Sequence, residues 1–319
     1  MTQLLANRWA VSAAVLFVLI VAACLAAPLY AHDIAHTDAF RSDITGTTVA
    51  DGKSVPILAP SKTGLGLGVT PIGPTWHFSH YFLGADGQGR DVMARLLYGG
   101  RDTLYIGIGS AVLCCLLGAL FGILAGYLGG VVDSVIARVL DVIWAFPVYL
   151  LAICLSVVLL TSGLDLGFVH ISAGNLLLPL VIIAVVYVPY VARPVRGEVM
   201  ALRQKEFVQS SIGIGSSDLR IMRRDVLPNV LPTVVVFLPL MASINMLTEA
   251  ALSFLSVGVQ APGASWGTIV QDGLGLIYTR PMVAIAPGFA LALTAVALNI
   301  FGDGVRDALD PSARIRGGA

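Results

Sequence analysis

Leu104-Tyr105-Ile106-Gly107-Ile108-Gly109-Ser110-Ala111-Val112-Leu113-Cys114-Cys115-Leu116-Leu117-Gly118-Ala119-Leu120-Phe121-Gly122-Ile123-Leu124-Ala125-Gly126-Tyr127-Leu128 runs without one charged side chain. A helix needs about 20 apolar residues to cross the ~30 Å hydrocarbon core of a bilayer. In that medium only a helix or a closed barrel satisfies every backbone N–H and C=O. The run is therefore predicted to be a membrane-spanning helix. Gly118, Gly122 and Gly126 stand four apart on one face. The missing side chains leave a groove that a second helix can approach closely, so these three are the candidate helix-packing residues.

The pattern recurs outward from this run. Trp9–Pro28, Val139–Leu160, Leu176–Val191, Val230–Val257 and Met282–Phe301 are the other apolar stretches, making six predicted spans in an all-α integral membrane protein. The whole composition agrees: of 319 residues 57% are hydrophobic and 12% charged, against about 25% charged in a soluble domain. The formal net charge is zero, which points away from a nucleic-acid partner. Trp9–Pro28 has small residues near its end, as a cleaved leader would. It is longer than a leader's apolar region of ~7–15 residues, so it reads as a retained first span. Cys24, Cys114, Cys115 and Cys154 all lie in apolar runs without metal-ligand spacing and read as small core residues.

Three regions follow: a first span at 1–29, an extracytoplasmic loop at 30–101, and a five-helix core at 102–319. Tyr30–His80 is rich in Gly, Pro, Thr, Asp and His, lacks a sustained period, and reads as an exposed loop with no core of its own. The glycine-spaced Gly64–Gly68 is not followed by Lys-Ser or Lys-Thr, so it is not a nucleotide loop. Arg193–Pro228 carries seven basic residues in 36 positions, against six in the 72 positions of Tyr30–Arg101. By the positive-inside rule the denser segment is cytoplasmic, and six spans then put both termini there too.

Arg193–Pro228 is too long and too charged for a simple turn. Phe207, Val208, Ser211 and Ile212 fall at helical spacing and predict a short amphipathic helix, ended by Gly213 and Gly215. Ser216 or Ser217 can cap the next helix, with Asp218 in its first turn. This stretch resembles the EAA loop of ABC-importer permeases: Glu-Ala-Ala, three residues, Gly, nine residues, Ile, one residue, Leu-Pro. Here the opening triplet is Gln209, Ser210 and Ser211, the glycine is Gly215, and the close is Leu227-Pro228. Glutamine replaces glutamate, serines replace the alanines, and Asp225 stands where isoleucine is usual. Leu83–Val92, Arg95–Gly99, Ala125–Gly130, Asp133, Arg138, Asp141, Ala145-Phe146-Pro147, Arg223–Asn229, Glu249–Leu255, Ser265-Trp266-Gly267 and Gly302–Pro311 are similar, in order and spacing, to the dipeptide/oligopeptide/nickel permease family, and to its C-type subunit. The segment 34–80 looks like an insertion relative to shorter family members.

The resemblance implies the transmembrane domain of a type I ABC importer in the bacterial inner membrane. It implies a second homologous permease, two cytoplasmic ABC ATPases, a solute-binding protein outside and surrounding lipid as partners. The chain has no phosphate-cradling loop of its own. No cofactor is expected on it; ATP and Mg belong to the ATPases. The coupling loop, within 193–228, would comprise Glu206, Phe207, Gln209, Ser210, Ser211, Gly215, Ser216, Asp218, Leu227 and Pro228.

Other charged residues are weighed separately. Arg138 and Asp141, three apart, can pair on one helix face. Glu249 lies inside a predicted span, where an ionisable group is costly; lining the path and contacting a partner subunit are both open. His32 and His36 could share a metal only if helical, and the loop reading makes them solvated side chains, so no metal site is predicted. No spacing marks a nucleophile, and no catalytic residue is expected. An ion-coupled secondary transporter without ATPases is the alternative, and the six spans show no duplication of the kind many such transporters carry.

Overall fold

The computed structural model describes residues 7–50, 53–61, 68–165, 167 and 170–309. Nine helices of eight or more residues organise the described chain: α1 Arg8–Leu25, α2 Val92–Leu128, α3 Gly130–Trp144, α4 Val148–Ser162, α5 Leu177–Arg203, α6 Glu206–Gly213, α7 Leu227–Phe254, α8 Trp266–Leu274 and α9 Met282–Leu309. Five stretches are long and apolar enough to span by themselves: α1, α2, α5, Asp218–Phe254 and α9. The sixth is a broken pair. The predicted span Val139–Leu160 is corrected to α3 plus α4, bent by 89°. The break falls at Ala145-Phe146-Pro147, where extended Pro147 (ψ 127°) precedes α4. Proline disfavours helical backbone in the residue before it, which interrupts the helix at this point.

Two helices outrun their apolar stretches. α2 has 37 residues, about 55 Å at ~1.5 Å per residue, so the loop predicted for 30–101 ends at Asp91 instead. α5 continues to Arg203, so the first part of the expected loop 193–228 is helical.

One compact unit comprises Met1–Val15, Gly107–Asn245 and Val296–Ala319; the other comprises Leu16–Ile106 and Met246–Ala295. In the first, α2 lies on α5 along its glycine face. A Cβ at Gly118 would stand 2.6 Å from Val191 Cβ, one at Gly122 2.6 Å from Val195 Cγ1, and one at Gly126 2.7 Å from the Arg196 carbonyl. Leu140, Val188 and Ala192 form a buried cluster beside it, with Leu117, Phe121 and Ile136 packed against it.

In the second unit the segment 34–80 is corrected from a coreless loop to a small folded element. β1 Thr47–Ala50 pairs antiparallel with β2 Lys53–Pro56, and β3 Leu58–Pro60 with β4 Val69–Pro71. Ile57, Tyr81 and Ala85 are buried together, with Ile72 against them. Period-2 alternation is hard to see in strands of three or four residues, which is why the sequence pattern missed them. Gly64–Leu67 and Lys62, like Asp310-Pro311, fall outside the described residues.

Asp91 secures the start of α2. One carboxylate oxygen accepts from the Met93 and Ala94 amides at 2.8 and 3.1 Å. The other accepts from the Tyr81 amide at 2.8 Å and the Thr37 hydroxyl at 3.3 Å. Burial pushes this carboxyl above the usual aspartate range, and the amides of Ala94, Tyr81 and Met93 pull it back. Asp91→Ala removes a helix cap and leaves the buried Tyr81 amide unpaired. The expected loss is about 2 kcal/mol, only part of it restored by Asp91→Asn, which keeps one acceptor oxygen and turns a donor NH2 toward the remaining amides, read as the unfolding midpoint in detergent.

Candidate functional site

The residues expected to couple the chain to a partner are built on α6. Lys205 enters the helix in extended backbone, and Glu206 occupies its first turn. Gln209 folds back, its side-chain amide donating to the Arg203 carbonyl at 2.8 Å. Val208 is fully buried, whereas Phe207, Ile212 and Ile214 are exposed. The amphipathic reading is thus corrected in one respect: only Val208 of the apolar set turns into the chain, and Phe207 and Ile212 stay outward beside Ile214.

The end of α6 closes by a Schellman motif. The Gly215 amide donates to the Ile212 carbonyl at 3.0 Å and the Ser216 amide to the Ser211 carbonyl at 3.1 Å. Gly215 takes φ +78°, the left-handed conformation this motif requires and glycine adopts without a Cβ penalty. Gly213 is the last helical residue rather than a stop. Ser216 is not the next cap: Ser217 holds that position, and its side chain makes no capping hydrogen bond. Ser216 serves the preceding helix through its amide instead.

Asp218 opens the short helix Asp218–Ile221 and accepts from the Tyr127 hydroxyl at the end of α2, at 3.1 Å. A π-turn, Met222–Val226, leads into Leu227 and Pro228 at the start of α7. Pro228 has no N–H for the Arg224 carbonyl, and the helix widens immediately before it.

The helices flanking this prong are tied by charge, differently from expectation. Asp141 pairs not with Arg138 but with Arg193 at 2.6 Å, whose guanidinium lies 3.9 Å from the Trp144 ring centre. Asp133 and Arg196 form a two-pronged pair, its second bond 2.6 Å. Both pairs clamp α3 to α5.

Glu249 lies apart from the prong. It is fully buried within the second unit, accepts from the Ser253 hydroxyl at 2.6 Å, and has the Thr103 and Ser265 hydroxyls beside it. This corrects the expectation of a path-lining or partner-facing group: the carboxylate faces its own chain. His32 lies in the π-turn Tyr30–Ala35 and His36 closes it in left-handed backbone, so they do not share a regular helix face. Among the described residues no group of three His, Cys, Asp or Glu converges as a metal site would.

One cluster escaped the sequence reading. Arg90 bonds Asp86 at 2.7 Å and Asp272 at 2.9 Å; Arg95 reaches the same two at 3.4 and 2.9 Å. The only signal was the run Asp86–Arg95 itself, since Asp272 is remote in the chain.

Long apolar helices joined by the short, glycine-closed helix α6 define a multi-pass helical membrane protein. Residues 118–315 match the family model of the binding-protein-dependent transport system inner membrane component, and the chain belongs to that family. It is 38% identical over 258 residues to a Brucella suis biovar 1 chain named as a peptide transport system permease protein, covering 81% of each. It is 37% identical over 236 residues to the glutathione transport system permease protein GsiD of Pectobacterium atrosepticum, covering 74% of each. Its fold resembles a chain of the MetNI methionine ABC transporter in inward-facing conformations, at TM-score 0.54 and 19% identity, covering 69% of this chain and 98% of that one. The protein is a multi-pass permease subunit of an ABC importer of the inner membrane. Family membership sets the ion-coupled alternative aside.

Proposed function

We propose that α6 is the coupling helix through which an ABC ATPase drives this permease, and that the importer carries di- or oligopeptides or a related small solute. The observation that carries the coupling reading is the exposed face of Phe207, Ile212 and Ile214 on a helix closed sharply by Gly215. Apolar side chains held outward on a rigid, charge-flanked prong suit insertion into a groove of a soluble partner. Val208 and the Tyr127–Asp218 bond tie the prong to the spans. A push on α6 is thereby transmitted to α2 and α7 as rigid-body motion.

The full assembly in this reading has a second, unlike permease, two ATPases that bind ATP and Mg, and an external solute-binding protein. The termini and residues 193–228 lie on the cytoplasmic side. The solute class follows the two relatives, one named for peptide transport and one for transport of the tripeptide glutathione.

Phe207→Asp is the test. An aromatic anchor at an interface contributes about 2 kcal/mol or more, ~30-fold in affinity. The variant is expected to reach the membrane at normal levels, to lose ATPase on co-purification and to lose uptake. Ser211→Arg should do the same. Normal uptake in both would remove α6 from the coupling path.

A further inference from the structure

α7 starts at Leu227, next to the coupling loop, and runs 28 residues to Phe254, about 42 Å at ~1.5 Å per residue. The end remote from the coupling loop carries a polar node around the fully buried Glu249. Its Oε1 accepts from the Ser253 hydroxyl at 2.6 Å, and the Ser253 oxygen in turn accepts the Val259 amide at 2.9 Å. The Thr103 and Ser265 hydroxyls also face the carboxylate. The Thr103 oxygen accepts the Trp266 amide at 3.0 Å, and the Ser265 oxygen the Thr268 amide at 3.3 Å. A hydroxyl has a single proton to donate. Each of these three oxygens already takes an amide from the turn after α7 or from the start of α8. The carboxylate is the acceptor toward which their protons point. Glu249 is in no ion pair among the described residues, so hydroxyls and not a counter-cation hold it.

Three helices meet at this carboxylate. Thr103 belongs to α2, Glu249 and Ser253 to α7, and Ser265 is the N-cap of α8. Close packing there does not need the acid. A Cβ on Gly258 would overlap the Ser253 hydroxyl, and one on Gly267 the Ala250 carbonyl. The other end of α8 is fixed independently, by Asp272 on Arg90 and Arg95. An apolar side chain of similar volume would be cheaper to bury in a span than a carboxyl group. What the carboxyl alone supplies is a common direction for three hydroxyls, and through them a fixed position for the turn and for the first turn of α8.

We propose that Glu249 is a positioning residue for transport: through Thr103, Ser253 and Ser265 it locks α8 and its entry turn to α7, so that α8 follows when α7 moves. The proposal rests on the reading of α7 as a helix driven from α6.

The test uses the chain purified with its accompanying subunits. Amide hydrogen exchange is followed over residues 255–268, and solute uptake per permease molecule is measured in proteoliposomes. Glu249→Leu should accumulate normally and keep its ATPase, which separates it from Phe207→Asp. Its exchange over 255–268 should rise, and its uptake fall, by about tenfold, the equivalent of ~1.4 kcal/mol. Glu249→Gln keeps an acceptor for Ser253 and should recover part of both. Ser253→Ala should lower uptake in the wild-type background and add nothing to Glu249→Leu, as expected of two residues acting through one contact. Normal uptake per molecule in Glu249→Leu overturns the proposal, because a part that only stabilises the fold changes amount and not turnover. Lost uptake without faster exchange also overturns it, as does loss of the ATPase. If Glu249→Leu does not accumulate, Thr103→Val and Ser253→Ala decide, and normal uptake in both overturns the proposal. Normal uptake in Phe207→Asp would withdraw α6 as the driver and leave the exchange result on Glu249 standing by itself.

Discussion

Asp86→Ala is expected to destabilise the protein by about 3–5 kcal/mol, the range for leaving a buried charge without its partner. The Asp86 side chain is 1% exposed and the Arg95 side chain 2%, so neither can turn to water. Asp86 also accepts the Gln88 and Arg90 amides at 2.9 and 3.1 Å, so alanine removes the organiser of the turn as well as a charge. Two guanidiniums would then share Asp272 alone. Asp272 is 34% exposed, and its loss admits water to the arginines, so Asp272→Ala should cost visibly less. Asp86→Asn, which keeps an acceptor, should fall between. Unfolding midpoints of the three variants in detergent, at constant pH and salt, give the order. If Asp272→Ala proves the worst, Asp86 is not the centre of the cluster.

Gly122→Leu is expected to disassemble the α2–α5 seam, at a cost of about 3 kcal/mol or more. Overpacking a yielding core typically costs ~1–3 kcal/mol. Here a Cβ would already stand 2.8 Å from the Ala192 carbonyl oxygen as well as against Val195, and backbone cannot swing aside as a side chain can. The only relief is to separate the helices, which also opens the contacts at Gly118 and Gly126. The variant helix is still apolar, so insertion should be normal. What falls is the assembled, protease-resistant protein, by more than tenfold. Gly197 is the internal control, since it sits in α5 with nothing within 4 Å of the place a Cβ would take. Gly197→Ala should be tolerated, or gain up to about 1 kcal/mol from helix propensity. Equal tolerance at both sites would mean that the seam is not close-packed.

These two expectations draw on different kinds of information. The glycine face was legible from Gly118, Gly122 and Gly126 alone, because a spacing of four is a local property of one helix. Its partners, Val191, Val195 and Val199, were not, because nothing in either segment names the other. The arginine cluster was half legible at best: Asp86, Arg90 and Arg95 are neighbours, but Asp272 joins them only through the fold. The same limit explains Asp141. Pairing with Arg138 was the choice open to a single helix, whereas packing of α3 on α5 supplied Arg193.

By itself, the sequence determined that this is a helical membrane protein, where its spans run and which stretch carries the prong with Gly215. Hydrocarbon acts on each segment separately: an apolar run of sufficient length must be helical whatever surrounds it, and a left-handed helix end favours glycine locally. Only the tertiary structure decided that α2 and α5 extend beyond their apolar runs, that the third span is broken at Pro147, and that 34–80 folds on Ile57 and Tyr81. It also decided that Glu249 faces its own chain. Each of these depends on which distant groups meet. Burial and charge pairing are properties of contacts between segments, and a contact has no local signature in either segment that makes it.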